Sequence, residues 1–294
     1  MALTINTNIA SLVAQKNLSS ATNKLNTAIE RMTTGYKINH AGDNAAGYSI
    51  ARNWETQLGS LDVAADNAAT GADMMSTLED HYSLISNHLQ RVRDLTEQAA
   101  NGTYGSASLN AIKSEITARL EEVDRISANC EFNGQHLMNG SMSAINLQVG
   151  LYSSNDSKIA LSEDLFKKGD VGTLFKTYSD GNSATTDANY DSIEKVATKC
   201  TSATASTMLD VIDNVINEIS NRTTTLGAAQ NRIDSAIESI AVQSENITSS
   251  LSTLRDADIS KESSNFIQAQ ILQQAAATLL STANQTPSIA LNLL

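Results

Sequence analysis

The sequence predicts a mainly α-helical protein: a long antiparallel helical coiled-coil bundle, drawn out as a rod, with a small β-hairpin region. Three observations carry this expectation. First, Leu209, Ile212, Ile216, Ile219, Leu226, Ile233, Ile237, Ile240, Ile247, Leu251 and Leu254 alternate gaps of three and four, with Thr223, Gln230 and Ser244 in the slots that are not apolar. Such a heptad seam belongs to one long helix packed on other helices. At 1.5 Å per residue that helix is roughly 70 Å long, a rod's dimension rather than a compact globule's. Second, Pro287 is the single proline in 294 residues, so nothing interrupts long helices upstream of it. Third, aromatic residues are only 4% of the chain, and its 41% hydrophobic content comes largely from Ala, Leu and Ile. Thin bundles with closely approaching helices need little aromatic volume, whereas a thick globular core does.

In chain order, residues 1–34 read as an amphipathic helix. Leu18, Ala21, Leu25, Ala28 and Met32 keep heptad spacing, and Leu3, Ile5, Ile9, Leu12 and Val13 extend an apolar face. Thr33-Thr34-Gly35 stops it, and Asp43 or Asn44 suits the N-cap of the next helix. Residues 45–99 carry a second seam through Ile50, Trp54, Leu58, Leu61, Ala65, Ala68, Ala72 and Met75. Leu78 follows after three residues, a phase shift of the stammer kind, before Tyr82, Ile85, Leu89, Val92, Thr96 and Ala99 resume the rhythm. After Asn101-Gly102-Thr103 a shorter helix shows Leu109, Ile112, Ile116, Leu120, Val123 and Ile126 on one face, with Ser106 or Ser108 as its cap. From 129 to 175 the pattern turns to hairpins: Asn133-Gly134 and Asn139-Gly140 signal turns, and Ile145-Asn-Leu147-Gln-Val149 alternates with period two. Residues 179–190, SDGNSATTDANY, read as a surface loop, and helix resumes near Asp191. The last helix carries Phe266, Ile267, Leu272, Ala276, Leu279 and Ala283, is ended by Pro287, and leaves Ile289, Leu291, Leu293 and Leu294 as an apolar tail.

The layout brings the two terminal helices together. The pair, roughly 1–34 with 262–294, is thin and alanine-rich, and alone it buries little apolar surface against the entropy of ordering it. The expectation is that it gains order when identical copies pack around it, through seams that include Leu18, Leu25, Met32, Leu272 and Leu279.

A net charge of −12 argues against nucleic acid, which needs a basic footprint. No apolar run reaches the length of a membrane span. The start, MALTINTNIASLVAQKNL, lacks the basic region and apolar core of a signal peptide. That leaves a cytoplasmic chain or one exported by a signal-independent route. Cys130 and Cys200 have no Cys-x-x-Cys partner and read as isolated thiols, with a disulfide as the alternative. His81 and His88 share a helix face without a carboxylate or thiol to complete a metal-ligand set, and read as solvated histidines. There is no HExxH, GxSxG, P-loop or GxGxxG, so neither catalytic residues nor a cofactor or metal site is expected.

An ordered set of short motifs resembles bacterial flagellin, the subunit of the flagellar filament. At the start these are Ile5-Asn6-Thr7-Asn8, Ala28-Ile29-Glu30-Arg31, and Ile38-Asn39 followed by Asp43-Asn44-Ala45-Ala46-Gly47. Then come Leu89-Gln90-Arg91-Val92-Arg93-Asp94-Leu95, Asn101-Gly102-Thr103, Glu131-Phe132-Asn133-Gly134 and Gln148-Val149-Gly150. The end adds Leu226-Gly227-Ala228 to Asn231-Arg232, Gln270-Ile271-Leu272-Gln273-Gln274-Ala275 and Ala283-Asn284-Gln285 with Pro287. The resemblance implies an inner terminal-helix domain from 1–44 and 255–294. It implies an outer rod domain of helices and hairpins over 45–178 with a long helix over 191–254, and the 179–190 loop in place of variable outer domains. It implies a secreted, extracellular homopolymer, exported unfolded by the flagellar type III route, held beforehand by an export chaperone, and meeting filament cap and hook-junction proteins. It also implies recognition by a host Toll-like flagellin receptor through Leu89, Gln90, Arg91, Arg93, Gln98 and Glu115, and a chaperone or cytosolic-sensor contact through Leu291, Leu293 and Leu294. A hook–filament junction protein, which shares the terminal architecture, is the alternative.

Overall fold

The computed structural model describes residues 8–176, 193–199 and 204–291, with residues 199 and 286–291 in backbone alone. The expected loop at 179–190, the helix start near Asp191, Cys200, Leu293 and Leu294 lie outside the described residues. The protein is mainly α with a small antiparallel β component: α1 (Ile9–Thr34), α2 (Ala45–Ala100), α3 (Ser106–Asn129), β1 (Glu131–Phe132), β2 (Gln135–His136), β3 (Ile145–Gln148), β4 (Lys158–Leu161), α4 (Val171–Lys176), α5 (Ile193–Lys199), α6 (Ala205–Arg255) and α7 (Ile259–Leu291). Two compact units divide it, one of residues 1–59 with 244–294 and one of 60–243, so α2 and α6 contribute to both.

In the first unit, Asn8 caps α1 by accepting from the Ser11 amide at 3.0 Å, and Gly35 ends it with φ 76°, a left-handed conformation that suits glycine. The side chain of Asn44, not Asp43, caps α2 by accepting from the Gly47 amide at 3.0 Å. Asp43 instead accepts from the Asn39 and His40 amides, which holds its carboxyl below the usual range. α1 and α7 run antiparallel, as the Thr22–Gln273 and Asn8–Ala283 hydrogen bonds show. Ala14, Ala21 and Ala28 of α1 are buried, as are Glu262, Ala269 and Ala276 of α7. A full Leu side chain contributes about 1.5–3 kcal/mol on burial; this seam spends its inner positions on methyl groups and contributes far less per residue. Pro287 does not end α7, whose helical backbone continues to Leu291.

The second unit has the larger core. On α2 the buried positions include Leu61, Ala64, Ala68, Gly71, Met75, Leu78, Tyr82, Ile85, Leu89, Val92, Thr96 and Ala99, an unbroken alternation of three and four, with Met74 and Leu95 buried beside it. The phase shift expected at Leu78 is therefore absent. Ala64 and Gly71 face inward, while Ala65 and Ala72 stand half-buried beside them. Gly71 is inside because a Cβ there would collide with the Leu147 side chain. At the head of α2, Ile50 is exposed and Ala51 takes the buried place. α6 runs antiparallel to α2, as Arg93–Asp213 and Gln230–Glu79 show. Its inner face carries Met208, Ile212, Val215, Ile219, Arg222, Leu226, Ala229, Ile233 and Ile240. Arg222 and Ala229 thus fill slots assigned to Thr223 and Gln230, and Leu209 and Ile216 sit half-buried on the flank. Arg222 is tolerated inside because Glu218 accepts from its Nε at 2.9 Å and the Lys168 carbonyl accepts from its Nη1 at 3.2 Å.

α3 begins at Gly105 without a side-chain cap, so neither Ser106 nor Ser108 plays that role. Its expected apolar face, from Ile112 to Ile126, is buried as read. Asn133 (φ 49°) and Gly134 (φ 79°) make the left-handed turn between β1 and β2. β3 and β4 pair antiparallel from Ile145↔Leu161 to Gln148↔Lys158. Asp124 on α3 accepts from the Val171 amide at 2.7 Å and so starts α4; burial raises its carboxyl pKa.

Candidate functional site

The surface that distinguishes this chain is at its terminal helices. Beyond the alanine seam, α1 exposes Ile9, Leu12, Val13 and Ile29, and α7 exposes Ile259, Ile267, Ile271, Leu272 and Leu279. Leu12 is 69% exposed and Leu279 63%. α7 is therefore apolar on its outer as well as its inner face, and a helix that is apolar all round is ordinarily covered. The structure divides the five expected seam residues. Leu18, Leu25 and Met32 are half-buried against α7, whereas Leu272 stands at the edge of the groove between the two helices, 44% exposed, and Leu279 is exposed. Residues 266, 273, 280 and 283 share the α7 inner edge with the two alanines and Glu262. Leu291 is described in backbone alone.

A polar clasp joins α1, α2 and the α6–α7 junction within the first unit. The Arg255 guanidinium lies 4.1 Å from the Tyr36 ring centroid and pairs with Glu55. The Lys37 amide donates to the Arg255 carbonyl at 2.7 Å, the Ala257 amide donates to the Gly35 carbonyl at 2.8 Å, and Lys37 Nζ reaches the Thr253 carbonyl at 2.8 Å. Arg255 Nε is buried without an acceptor. Sequence reading missed this clasp, because its members sit in turns and at helix ends where hydrophobic periodicity is silent.

In the second unit the six residues assigned to receptor recognition separate. Leu89 is fully buried in the core, so its side chain presents nothing to a partner of the folded chain. Gln90 and Gln98 are exposed. Arg91 and Glu115 come together at 3.0 Å, joining α2 to α3. Arg93 bonds Asp213 of α6 at 2.6 Å, and that hydrogen bond raises its guanidinium pKa. His81 and His88 are half-buried rather than solvated; His81 Nδ1 lies 2.8 Å from the Thr77 carbonyl, and His88 Nδ1 has no partner. Cys130 is a buried free thiol whose pKa burial pushes up to about 12. Among the described residues no three of His, Cys, Asp and Glu converge as a metal-binding group, and no helix is long and apolar enough to cross a membrane.

Long helices that end in an exposed apolar pair, with Ala rather than bulky residues between its members, define a structural assembly subunit. Family models agree. The bacterial flagellin N-terminal helical region matches residues 5–143, and the bacterial flagellin C-terminal helical region matches residues 209–294. Flagellin of Xenorhabdus nematophila is 35% identical over 100% of both chains, and flagellin of Bacillus subtilis strain 168 is 33% identical over 99% of each. A solved structure of a putative flagellar hook-associated protein from Vibrio parahaemolyticus covers 73% of this chain and 100% of its own at TM-score 0.59. Its 12% identity speaks for the fold alone. The chain belongs to the bacterial flagellin family. It is a structural filament subunit, not an enzyme, and the hook-junction alternative is not favoured.

Proposed function

We propose that the exposed apolar faces of α1 and α7 are the surfaces through which neighbouring subunits join, and that the terminal pair gains its full order there. The observation that supports this is the pair's own construction. Its inner seam is alanine, while Ile267, Ile271, Leu272 and Leu279 stay outside. Burying them between copies supplies the driving force that the isolated pair lacks, and unlike faces meeting head to tail continue as a filament. Seeded polymerisation tests the reading. Full-length chain grows on seeds; chain lacking residues 1–34, or carrying Ile271→Glu with Leu279→Glu, stays in the supernatant. Growth by the truncated chain refutes it.

The finer roles follow from family membership. The subunit leaves the cell unfolded through the flagellar export channel, with a chaperone holding α7, and works in the extracellular filament beside cap and hook-junction proteins. In a folded monomer Gln90, Arg91, Arg93, Gln98 and Glu115 are available to a Toll-like flagellin receptor in a way that buried Leu89 is not. A reporter-cell assay with Arg91→Ala, run beside polymerisation, separates receptor signalling from assembly. The described backbone ends at Leu291, and the sensor contact through Leu291, Leu293 and Leu294 is tested by deleting those leucines.

A further inference from the structure

Charge is not shared evenly between the two units. Acidic and basic side chains balance within the first unit, so the net charge of −12 belongs to the second. Inside the first unit the balance is polarised along α1 and α7. From Asn8 to Ile29 and from Ser263 to Gln285 the only charged residues are Lys16 and Lys24. Both are exposed, and neither has an ion-pair partner among the described residues. They line one groove between the two helices, together with Asn265, Gln268 and Leu272. Leu12 and Val13, one turn before Lys16, are exposed as well.

The compensating acids gather where α6 turns into α7. Asp256 is exposed, and its carboxylate has no partner among the described residues. Asp258 is exposed and accepts from the Ser260 and Lys261 amides at 2.9 and 3.2 Å, but no cation pairs with it among the described residues. Neighbouring carboxylates are engaged: Glu262 with Arg31, Glu30 with His40, and Glu55 with Arg52 and Arg255. The Ala257 amide donates to the Gly35 carbonyl, so this acidic junction is level with the end of α1. Counted back from Gly35 at 1.5 Å per residue, Lys24 lies about 17 Å and Lys16 about 29 Å along α1. Within one chain the two lysines are therefore out of reach of the two aspartates.

We propose that Lys16 and Lys24 pair with the acidic α6–α7 junction, Asp256 and Asp258, of a second copy displaced by about 17–29 Å along the α1 axis. The proposal rests on the filament-subunit reading and adds to it the stagger between neighbours. Both partners belong to the first unit, so terminal helices meet terminal helices. When the apolar faces beside Lys16 close on a neighbour, a lysine without an anion loses its hydration and gains nothing, a cost that opposes assembly. An aspartate at that place removes the cost. Parallel copies at equal height would set lysine against lysine and acid against acid; a displaced copy sets unlike charges together and fixes the register of the contact. The contact is heterologous, so it continues from copy to copy rather than closing.

The test is seeded polymerisation of the full chain, read as critical concentration by sedimentation, at about 0.1 M and about 1 M salt, where the screening length falls from about 10 Å to about 3 Å. Lys16→Glu with Lys24→Glu is expected to raise the critical concentration about tenfold at the lower salt and about twofold at the higher. Asp256→Lys with Asp258→Asn, which keeps an acceptor for the two α7 amides, is expected to do the same. The chain carrying all four changes is expected to return to within about threefold of the parent, because unlike charges face each other again. Glu245, an exposed acid about 15 Å from Arg255 along α6, supplies the control: Glu245→Lys is expected to stay within about twofold of the parent. Circular dichroism checks that each variant is folded. Carbodiimide treatment of polymer grown from mixed isotope-labelled and unlabelled chains is expected to yield mixed-label isopeptides that join Lys16 or Lys24 to Asp256 or Asp258. Lysine or aspartate variants that polymerise like the parent overturn the proposal. So does a fourfold-substituted chain that fails to recover, a Glu245→Lys chain as impaired as the aspartate variant, or mixed-label links from the two lysines to other carboxylates alone. Failure of the parent itself to grow on seeds strikes the filament reading instead.

Discussion

Replacing Arg255 separates what the clasp contributes from what it costs. Arg255 touches the Tyr36 ring at 4.1 Å and pairs with Glu55, with side-chain exposures of 16% and 31%. A partly desolvated cation–π contact contributes about 1–2 kcal/mol, and an ion pair at this exposure about 1 kcal/mol. Against these stands Nε, buried with no acceptor, a penalty of about 1–3 kcal/mol. Arg255→Met removes both contacts and the penalty together, keeps the apolar stem, and places a thioether on the ring for about 0.5 kcal/mol. The expected net loss is about 1 kcal/mol or less. Arg255→Ala also loses the stem, about 0.8 kcal/mol per methylene, for a net loss of about 2–3 kcal/mol. Native-state hydrogen exchange at the Lys37 and Ala257 amides, which close the clasp, reads the difference. Met is expected to speed exchange about fivefold or less and Ala by tens of fold. Acceleration by Met of tens of fold refutes the reasoning, because the orphaned donor would then cost nothing.

Other expectations are as direct. Leu89→Ala empties a fully buried site and costs about 2–5 kcal/mol, seen as a lower Tm, whereas Gln90→Ala next to it stays within about 0.5 kcal/mol. Cys130, with its thiol pushed up to about 12, resists iodoacetamide at pH 8 in the native chain and reacts after denaturation, read by mass spectrometry at that residue. The Asp124 carboxyl has a raised folded pKa, from burial first, so the folded state holds its proton more tightly than the unfolded state. Its ionisation therefore erodes stability as pH rises through that folded pKa. Asp124→Asn keeps an acceptor for the Val171 amide, and denaturant melts are expected to show its stability relative to the parent rising from acid to neutral pH.

The long helices were legible in the sequence because Leu, Ile and Val repeat at heptad spacing over many turns. Inner positions held by small or charged residues were not. Ala64 and Gly71 could not be told from Ala65 and Ala72 by hydropathy, so an unbroken seam was read as a stammer; the deciding fact was the approach of Leu147, which comes from distant sequence. Arg222 was hidden because charge argues for the surface, and only Glu218 and the Lys168 carbonyl make its burial tolerable. On α7 apolar residues recur on every side of the helix between Phe266 and Leu280 and gave no single face to choose, so Leu272 and Leu279 were assigned to the same seam as Leu18 and Leu25. The structure puts Ala269 and Ala276 there instead. The clasp was silent for the opposite reason: Tyr36, Glu55 and Arg255 share no periodicity.

The alanines of α1 recur every seven residues at 14, 21 and 28, and those of α7 at 269 and 276, so one heptad of this pair looks much like the next. Sliding one helix past the other by two turns would re-form nearly the same methyl contacts. Alignment must then come from side chains that differ along the length: Thr22 with Gln273, Asn8 with the Ala283 carbonyl, Ser11 with Asn284, and Arg31 with Glu262. A few polar pins thus hold in place two sliding cylinders whose greasy surface has no preference of its own.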